Sequence, residues 1–416
     1  MQRGALTILR VEWRAEWLAM FAFAATLLAV FVLYPLLFLL FVCVVSAAAP
    51  DARFKLPLAI AAVLLFSLLN LSKAVEGDLL TYVNLQQYIA HRPFLTLFNE
   101  QELQPISASY RATELGFYVP LWALAAIFPN GQVAISIAAT LAIYVTTIIG
   151  LLIIQRAQGW SDGVTLVVFA FVLFAAINFV QTSHLVRQYI SASFGFLAFA
   201  FFLRNRAVLA ALCTLMAISI HNGTVVVVGN LVAACLLFPY EKMSALGASA
   251  RLWRGACLVA ILGLSGAALA FHEIVHFGEP AQNIAPMHYA AAASLFFVYR
   301  LCSRGHVDQA RFRHYVSLAF SVIFILSVGF FVVGFGTLAV RYFVYLEWLF
   351  GLLAAGTLFA IPTVHLGLSL LSRWLVLTVA TLVFFLRIHT GSWTYGAGDS
   401  SLFNANLMGV VSFVAR

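Results

Sequence analysis

Charge is what this chain has least of. Asp, Glu, Lys and Arg make up 9% of its 416 residues, against 63% hydrophobic. So little charge cannot clothe the surface of a water-soluble domain, which excludes a soluble fold. Acid is the scarcer sign: 15 Asp and Glu stand against 23 Lys and Arg, a net charge of +8. No Lys/Arg run and no basic patch interleaved with aromatics is present, so the excess does not speak for nucleic acid. It reads instead as loops that face anionic lipid. Cysteine is sparse as well. Cys43, Cys213, Cys235, Cys257 and Cys302 all sit in apolar runs, without metal-ligand or disulfide spacing, and read as small core residues. Linkers, low-complexity segments and a matched pair of interrupted helices are also missing, and the last of these argues against an inverted-repeat transporter.

What the chain has is apolar runs of membrane-span length, with a mean hydropathy of +1.01. The runs are unbroken and do not alternate, which predicts helices and disfavours a β-barrel. The expected fold is an all-α polytopic integral membrane protein, one transmembrane domain over 1–416, with about 12–14 spans of the usual length. Residues 17–49 cross either once as a tilted helix or twice as a hairpin turning near Pro35; basic residues on both flanks (Arg3, Arg10, Arg14; Arg53, Lys55) favour the hairpin. The N-terminus reads as a retained first helix, because no small-residue cleavage site follows cleanly.

A span over Leu56–Ser72 leads into the longest polar interval, 73–114, where acid outnumbers base; that suits the non-cytoplasmic side. Asp78, Tyr82 and Gln86 are spaced to share one helical face there. Leu115–Pro129 is short for a span and reads as re-entrant or interfacial, so 73–131 forms an outer loop region with short helices. Core helices are expected over 163–239 and 339–361, and basic loops alternate with polar outer ones along the rest, with expected spans over Ala256–Phe271, Met287–Tyr299 and Trp374–Arg387. A last run, Leu402–Ala415, is too short to assign.

The polar residues of one region stand out. Between Gln181 and His221 lie two apolar runs; one opens on His184, Arg187 and Gln188, the other ends on His221 and Asn222, with Arg204 and Arg206 at the opposite end. An arginine costs about 2.5–3.5 kcal/mol at the centre of a span and less towards the interface. Arg187 and His221 therefore read either as interfacial anchors that snorkel to headgroups or as a site with a defined side. His184, Arg187, Gln188 and Ser191 fit one helical stripe. Arg341 sits deeper in its run than an anchor needs. Two guanidinium forks at this level suit a pyrophosphate, and a neutral histidine suits proton abstraction from a hydroxyl. His272-Glu273-Ile274-Val275-His276 meets the HExxH order of zinc proteases, but that pattern needs a helix and a third ligand.

These residues together resemble the EpsG family of bacterial polysaccharide polymerases, which are Wzy-like multi-span proteins. The resemblance is carried by Glu76-Gly77-Asp78 with Tyr82, by Glu114-Leu115-Gly116-Phe117, by Leu185-Val186-Arg187-Gln188 followed by Ile220-His221, and by Arg341-Tyr342-Phe343. It covers roughly residues 56 to 345. It departs from the family pattern at Lys73, which stands near the place of an arginine, and at Leu115, which stands where a proline is usual. The resemblance implies a bundle like those of GT-C and Wzy proteins, with a periplasmic loop over 73–114. It implies polymerisation of undecaprenyl-pyrophosphate-linked repeat units at the periplasmic face of the inner membrane, without metal, nucleotide sugar or other cofactor. Arg187 and Arg341 would hold the pyrophosphate. His221 would be the base, with Asp78 orienting groups or acting as base itself. Tyr82, Gln188 and His184 would bind sugar. The partners implied are the lipid-linked oligosaccharide, membrane lipid and, optionally, a chain-length regulator. Two other readings stay open: a GT-C-type transferase using Asp78 and a polyprenyl-phosphate sugar, and a lipid-linked oligosaccharide flippase.

Overall fold

The structure, a computed structural model, describes residues 77–107, 110–128, 130–178, 185–277, 286–303, 309–360 and 366–390, with isolated positions outside them. Among the described residues every regular element is helical. In chain order these are α1 (Gly77–Ile89), a 3-10 turn (Phe94–Phe98), α2 (Glu100–Leu103), α3 (Leu115–Ile127), α4 (Gly131–Gln158), α5 (Asp162–Phe171) continuing into a π turn (Val172–Ala176), α6 (Val186–Leu203), α7 (Ala207–Ile220) and α8 (Thr224–Leu237). A 3-10 turn (Tyr240–Ala245) then precedes α9 (Ala248–Phe277), α10 (Pro286–Cys302), α11 (Ala310–Val332), α12 (Gly336–Ala360) and α13 (Leu366–Thr390). Six helical stretches among the described residues are long and apolar enough to cross a membrane. The protein is thus an all-α polytopic membrane protein. The run 17–49, apart from isolated positions, and the unassigned run 402–415 lie outside the described residues.

Two apolar cores organise the bundle. The larger is built round α12, whose spanning window is 83% buried, whereas only 6% of the α9 window is. On α9, Leu252, Trp253, Val259 and Leu264 face outward, the pattern of a lipid-facing helix at the rim. The second core belongs to the short helices α1–α3, termed the outer module after the side expected from the sequence. Leu79, Tyr82, Leu85 and Ile89 of α1 pack with Tyr110 and with Phe117, Tyr118 and Leu121 of α3, and the cluster closes on Val186 and Ile220. The module is therefore seated on the first turn of α6 and the last turn of α7.

Local chemistry sets the element ends. The Asn130 side chain accepts the Val133 N–H at 3.1 Å at the start of α4, and Gly159 takes a left-handed φ of 63° at its end, which glycine adopts without a Cβ clash. The π turn stops at Ile177, and the Asn178 N–H then donates to Glu347 at 2.9 Å. Tyr189 donates its hydroxyl to the same carboxylate at 3.2 Å. Those bonds satisfy a broken helix and a buried acid together. The segment expected to be short over 115–129 is a 13-residue helix. Helix α9 begins at Ala248, not Ala256, because Arg254 donates to the Leu237 carbonyl at 2.8 Å and its charge sits at that turn without breaking the helix. Helix α13 likewise begins before the expected Trp374, and α10 spans the expected Met287–Tyr299 with little change.

Helix α7 has 14 residues, a rise of about 21 Å, short of the ~30 Å hydrocarbon layer of a bilayer.

Candidate active site

A cavity of about 320 Å³ opens where α1, the loop before α3, the start of α6, the α7–α8 turn and the start of α12 meet. Asp78, Tyr82, Arg187, Gln188, His221 and Arg341 all line it. The residues singled out in sequence, from parts of the chain as far apart as Asp78 and Arg341, thus come to one place. His184 lies outside the described residues. Ser191, on the same expected stripe, is fully buried and turned away: its hydroxyl donates to the Ala217 carbonyl at 2.7 Å and pairs with Thr224. Gln86, on the face shared with Asp78 and Tyr82, is buried and donates to the Phe128 carbonyl at 2.9 Å, which ties α1 to the end of α3.

Arg187 is the second residue of α6, where a long side chain can leave the helix towards the outer module. Its Nε donates to the Tyr82 hydroxyl at 2.8 Å and its Nη1 to the Tyr118 hydroxyl at 2.9 Å. The same Nη1 forms an ion pair with Glu114 Oε2. Its side chain is only 11% exposed, and these three partners hold the guanidinium. Gln188 donates its amide to the Arg341 backbone carbonyl, which binds the start of α6 to the start of α12.

Glu114 is the residue that sequence reasoning missed as part of the site. The sequence counted it among the acids of the polar interval and as the first residue of a stretch that carries the family resemblance, without a role in the site, yet it is 3% exposed. Its Oε1 faces His221 Nδ1 at 3.1 Å and accepts the Asn222 N–H at 2.9 Å, while Oε2 takes Arg187. Burial pushes the Glu114 carboxyl up, but the His221 hydrogen bond and the Arg187 charge outweigh it, and the group is held below the usual carboxylate range. His221 is likewise held below its ordinary value, first by burial and then by the nearby arginines, against the pull of Glu114. The pair is therefore an ionised carboxylate and a neutral imidazole. Since the carboxylate can only accept, Nδ1 carries the proton and Nε2 does not. A Cβ at Gly223 would sit 3.0 Å from that Nε2, so glycine there leaves the nitrogen its room.

Asp78 keeps exposure to the cavity, while the packed walls round it hold its carboxyl above the usual range against the pull of Arg187, Arg341 and His221. Burial pushes Tyr82 up to about 12, so it remains a hydroxyl donor and acceptor. Arg111, Asn222, Tyr342 and Tyr345 complete the polar lining; Asn222 and Tyr342 stood in the stretches singled out in the sequence, without a role, whereas Arg111 and Tyr345 were not foreseen. Tyr345 reaches Thr224 at 2.7 Å, which fixes α8 to α12 beneath the His221 turn.

Comparison with protein families decides what this arrangement belongs to. The EpsG family model matches residues 55–392. The chain belongs to the EpsG family. No curated protein and no solved structure matches it. EpsG membership ties the chain to polysaccharide biosynthesis and agrees with a polymerase of glycosyltransferase type. The matched stretch contains every described cavity residue, so the site lies within the family's shared region. The rival HExxH segment lies in the last turns of α9, and its side chains are outside the described residues. Among the described residues, no group of three or more His, Cys, Asp or Glu is arranged so that it could hold a metal ion.

Proposed function

We propose that this EpsG protein polymerises oligosaccharide repeat units carried on undecaprenyl pyrophosphate, at the periplasmic face of the bacterial inner membrane. The observation that carries the reading is a neutral histidine and two arginines lining one cavity beside the ends of membrane helices. In this reaction the growing chain leaves its lipid carrier and joins the non-reducing-end hydroxyl of an incoming unit. His221 Nε2 takes the proton of that hydroxyl as its oxygen attacks the anomeric carbon of the growing chain. The new C–O bond forms as the anomeric carbon–phosphate oxygen bond breaks. The bonding electron pair departs with undecaprenyl pyrophosphate, and the proton on His221 passes to solvent. Arg341 and the fixed fork of Arg187 stabilise the charge gathering on the leaving pyrophosphate. Asp78, Tyr82 and Gln188 border the same space and orient sugar hydroxyls.

The test is a gel of lipid-linked glycans from cells deleted for the gene and complemented with wild type, Arg187→Ala or His221→Ala. The expected result is single repeat units in the deletion, a ladder with wild type, and single units again with either variant. A repeat unit one sugar short in the deletion would replace this reading with a GT-C-type transferase. Complete units held on the cytoplasmic side would replace it with a flippase.

A further inference from the structure

We infer that Glu114 is the positioning residue of this site: it holds the His221 ring with Nδ1–H bound and Nε2 turned to the reacting hydroxyl, and it anchors Arg187 with the same carboxylate. The inference rests on the polymerase reading for its catalytic meaning, but its geometry stands by itself. A carboxylate that is 3% exposed is an expensive thing to bury. Here both of its oxygens are committed: Oε1 to the imidazole and the Asn222 N–H, Oε2 to the guanidinium. The Asn222 side chain adds a bond to Thr113 at 2.7 Å, which pins the loop carrying Glu114 to the turn carrying His221. One side chain thus sets the register between the outer module, the first turn of α6 and the end of α7. An acid in this place does for His221 what an orienting carboxylate does for any histidine base, fixing its tautomer and favouring the imidazolium that forms in the transition state.

The charged groups facing His221 are Glu114 from the outer module, Asp78 from α1, Arg187 from α6 and Arg341 from α12. Arg111, Tyr82 and Tyr345 border the same cavity. Of these, the two acids favour the imidazolium and the arginines oppose it. Removing the Glu114 charge therefore leaves the arginines less opposed, and protonation of His221 must move to lower pH.

The test uses the full-length protein in lipid nanodiscs. Diethyl pyrocarbonate reacts with neutral imidazole, so the pH midpoint of His221 modification, read by peptide mass spectrometry, reports its protonation without any turnover. Polymerisation of lipid-linked repeat units is measured across pH in parallel. In Glu114→Gln the midpoint is expected to fall by about 1–3 pH units, the range for loss of an adjacent opposite charge. The acidic limb of the polymerisation profile should move with it, and the rate should drop roughly 10–100-fold, part of what a positioned base supplies. Glu114→Asp, which keeps the charge, should recover much of the midpoint. An unchanged midpoint in both variants overturns the inference, as does a shifted midpoint with an unaltered rate. A shifted midpoint in a protein whose wild type makes no polymer upholds the Glu114–His221 coupling and overturns the polymerase reading instead.

Discussion

Glu114 and His221 bind fewer protons in the folded protein than in the unfolded chain, because both groups are held below their ordinary values. For these two groups the sign is fixed, since stability falls as pH falls wherever the unfolded state binds more protons; Asp78, held above its ordinary value, acts in the opposite sense and partly offsets them in acid. Thermal unfolding in detergent should therefore show a midpoint that is steady above the ordinary histidine value of 6.5 and declines below it, with a further decline below the ordinary glutamate value of 4.5. Polymerisation should hold through neutral pH and fail only in acid, once His221 takes up a proton. A smaller effect is expected of Tyr82→Phe, which removes one bond to Arg187 and leaves its ion pair with Glu114. Loss of such a bond to a charged group is worth about 1.5–3 kcal/mol at most, and the glycan ladder should shorten without vanishing. Arg187, His221 and Arg341 were legible in the sequence because a strongly polar side chain in or beside an apolar run has few bland explanations. Glu114 was marked only by its place in a stretch that carries the resemblance; its role was not legible, since an acid in a polar loop is solvated by default and nothing local announces that a loop folds back over a histidine more than a hundred residues away.

Helix–helix contact at α3 and α7 decides whether that loop stays where it is. Gly116, two residues after Glu114, lies against Ser219 so closely that a Cβ there would overlap the Ser219 side chain and crowd its backbone. Gly116→Ala should push α3 off α7 and separate Glu114 from His221. Overpacking of this kind costs about 1–3 kcal/mol, and the expected outcome is a lower unfolding temperature together with a loss of polymer out of proportion to protein level. Glu347 works differently. Glu347→Ala would strip the Asn178 N–H and the Tyr189 hydroxyl of their acceptor inside the bundle, which costs about 1–3 kcal/mol for each buried group left unpaired. Its effect should track folded protein level alone. The helical elements were visible as unbroken apolar runs. Their starts were not where a basic residue could be bonded inside the first turns, as Arg254 is.

Across the whole molecule, the polar residues foreseen from separate stretches converge because the outer module caps one end of the bundle. Topology explains why no single motif signals the site: Asp78 and Tyr82 arrive on α1, Glu114 on a loop, Arg187 on α6, His221 at the end of α7 and Arg341 on α12. The all-helical architecture followed from composition, whereas the way these pieces meet follows from packing of Leu79, Tyr82, Phe117 and Tyr118 against Val186 and Ile220. The most direct test of the account uses purified protein supplied only with undecaprenyl-pyrophosphate-linked repeat units. Wild type should make chains of two or more units and release one undecaprenyl pyrophosphate per linkage formed, and His221→Ala should lose about 10²–10⁴-fold in rate, the usual contribution of a general base. Polymer made equally fast by His221→Ala, or no linkage formed by wild type, would contradict it.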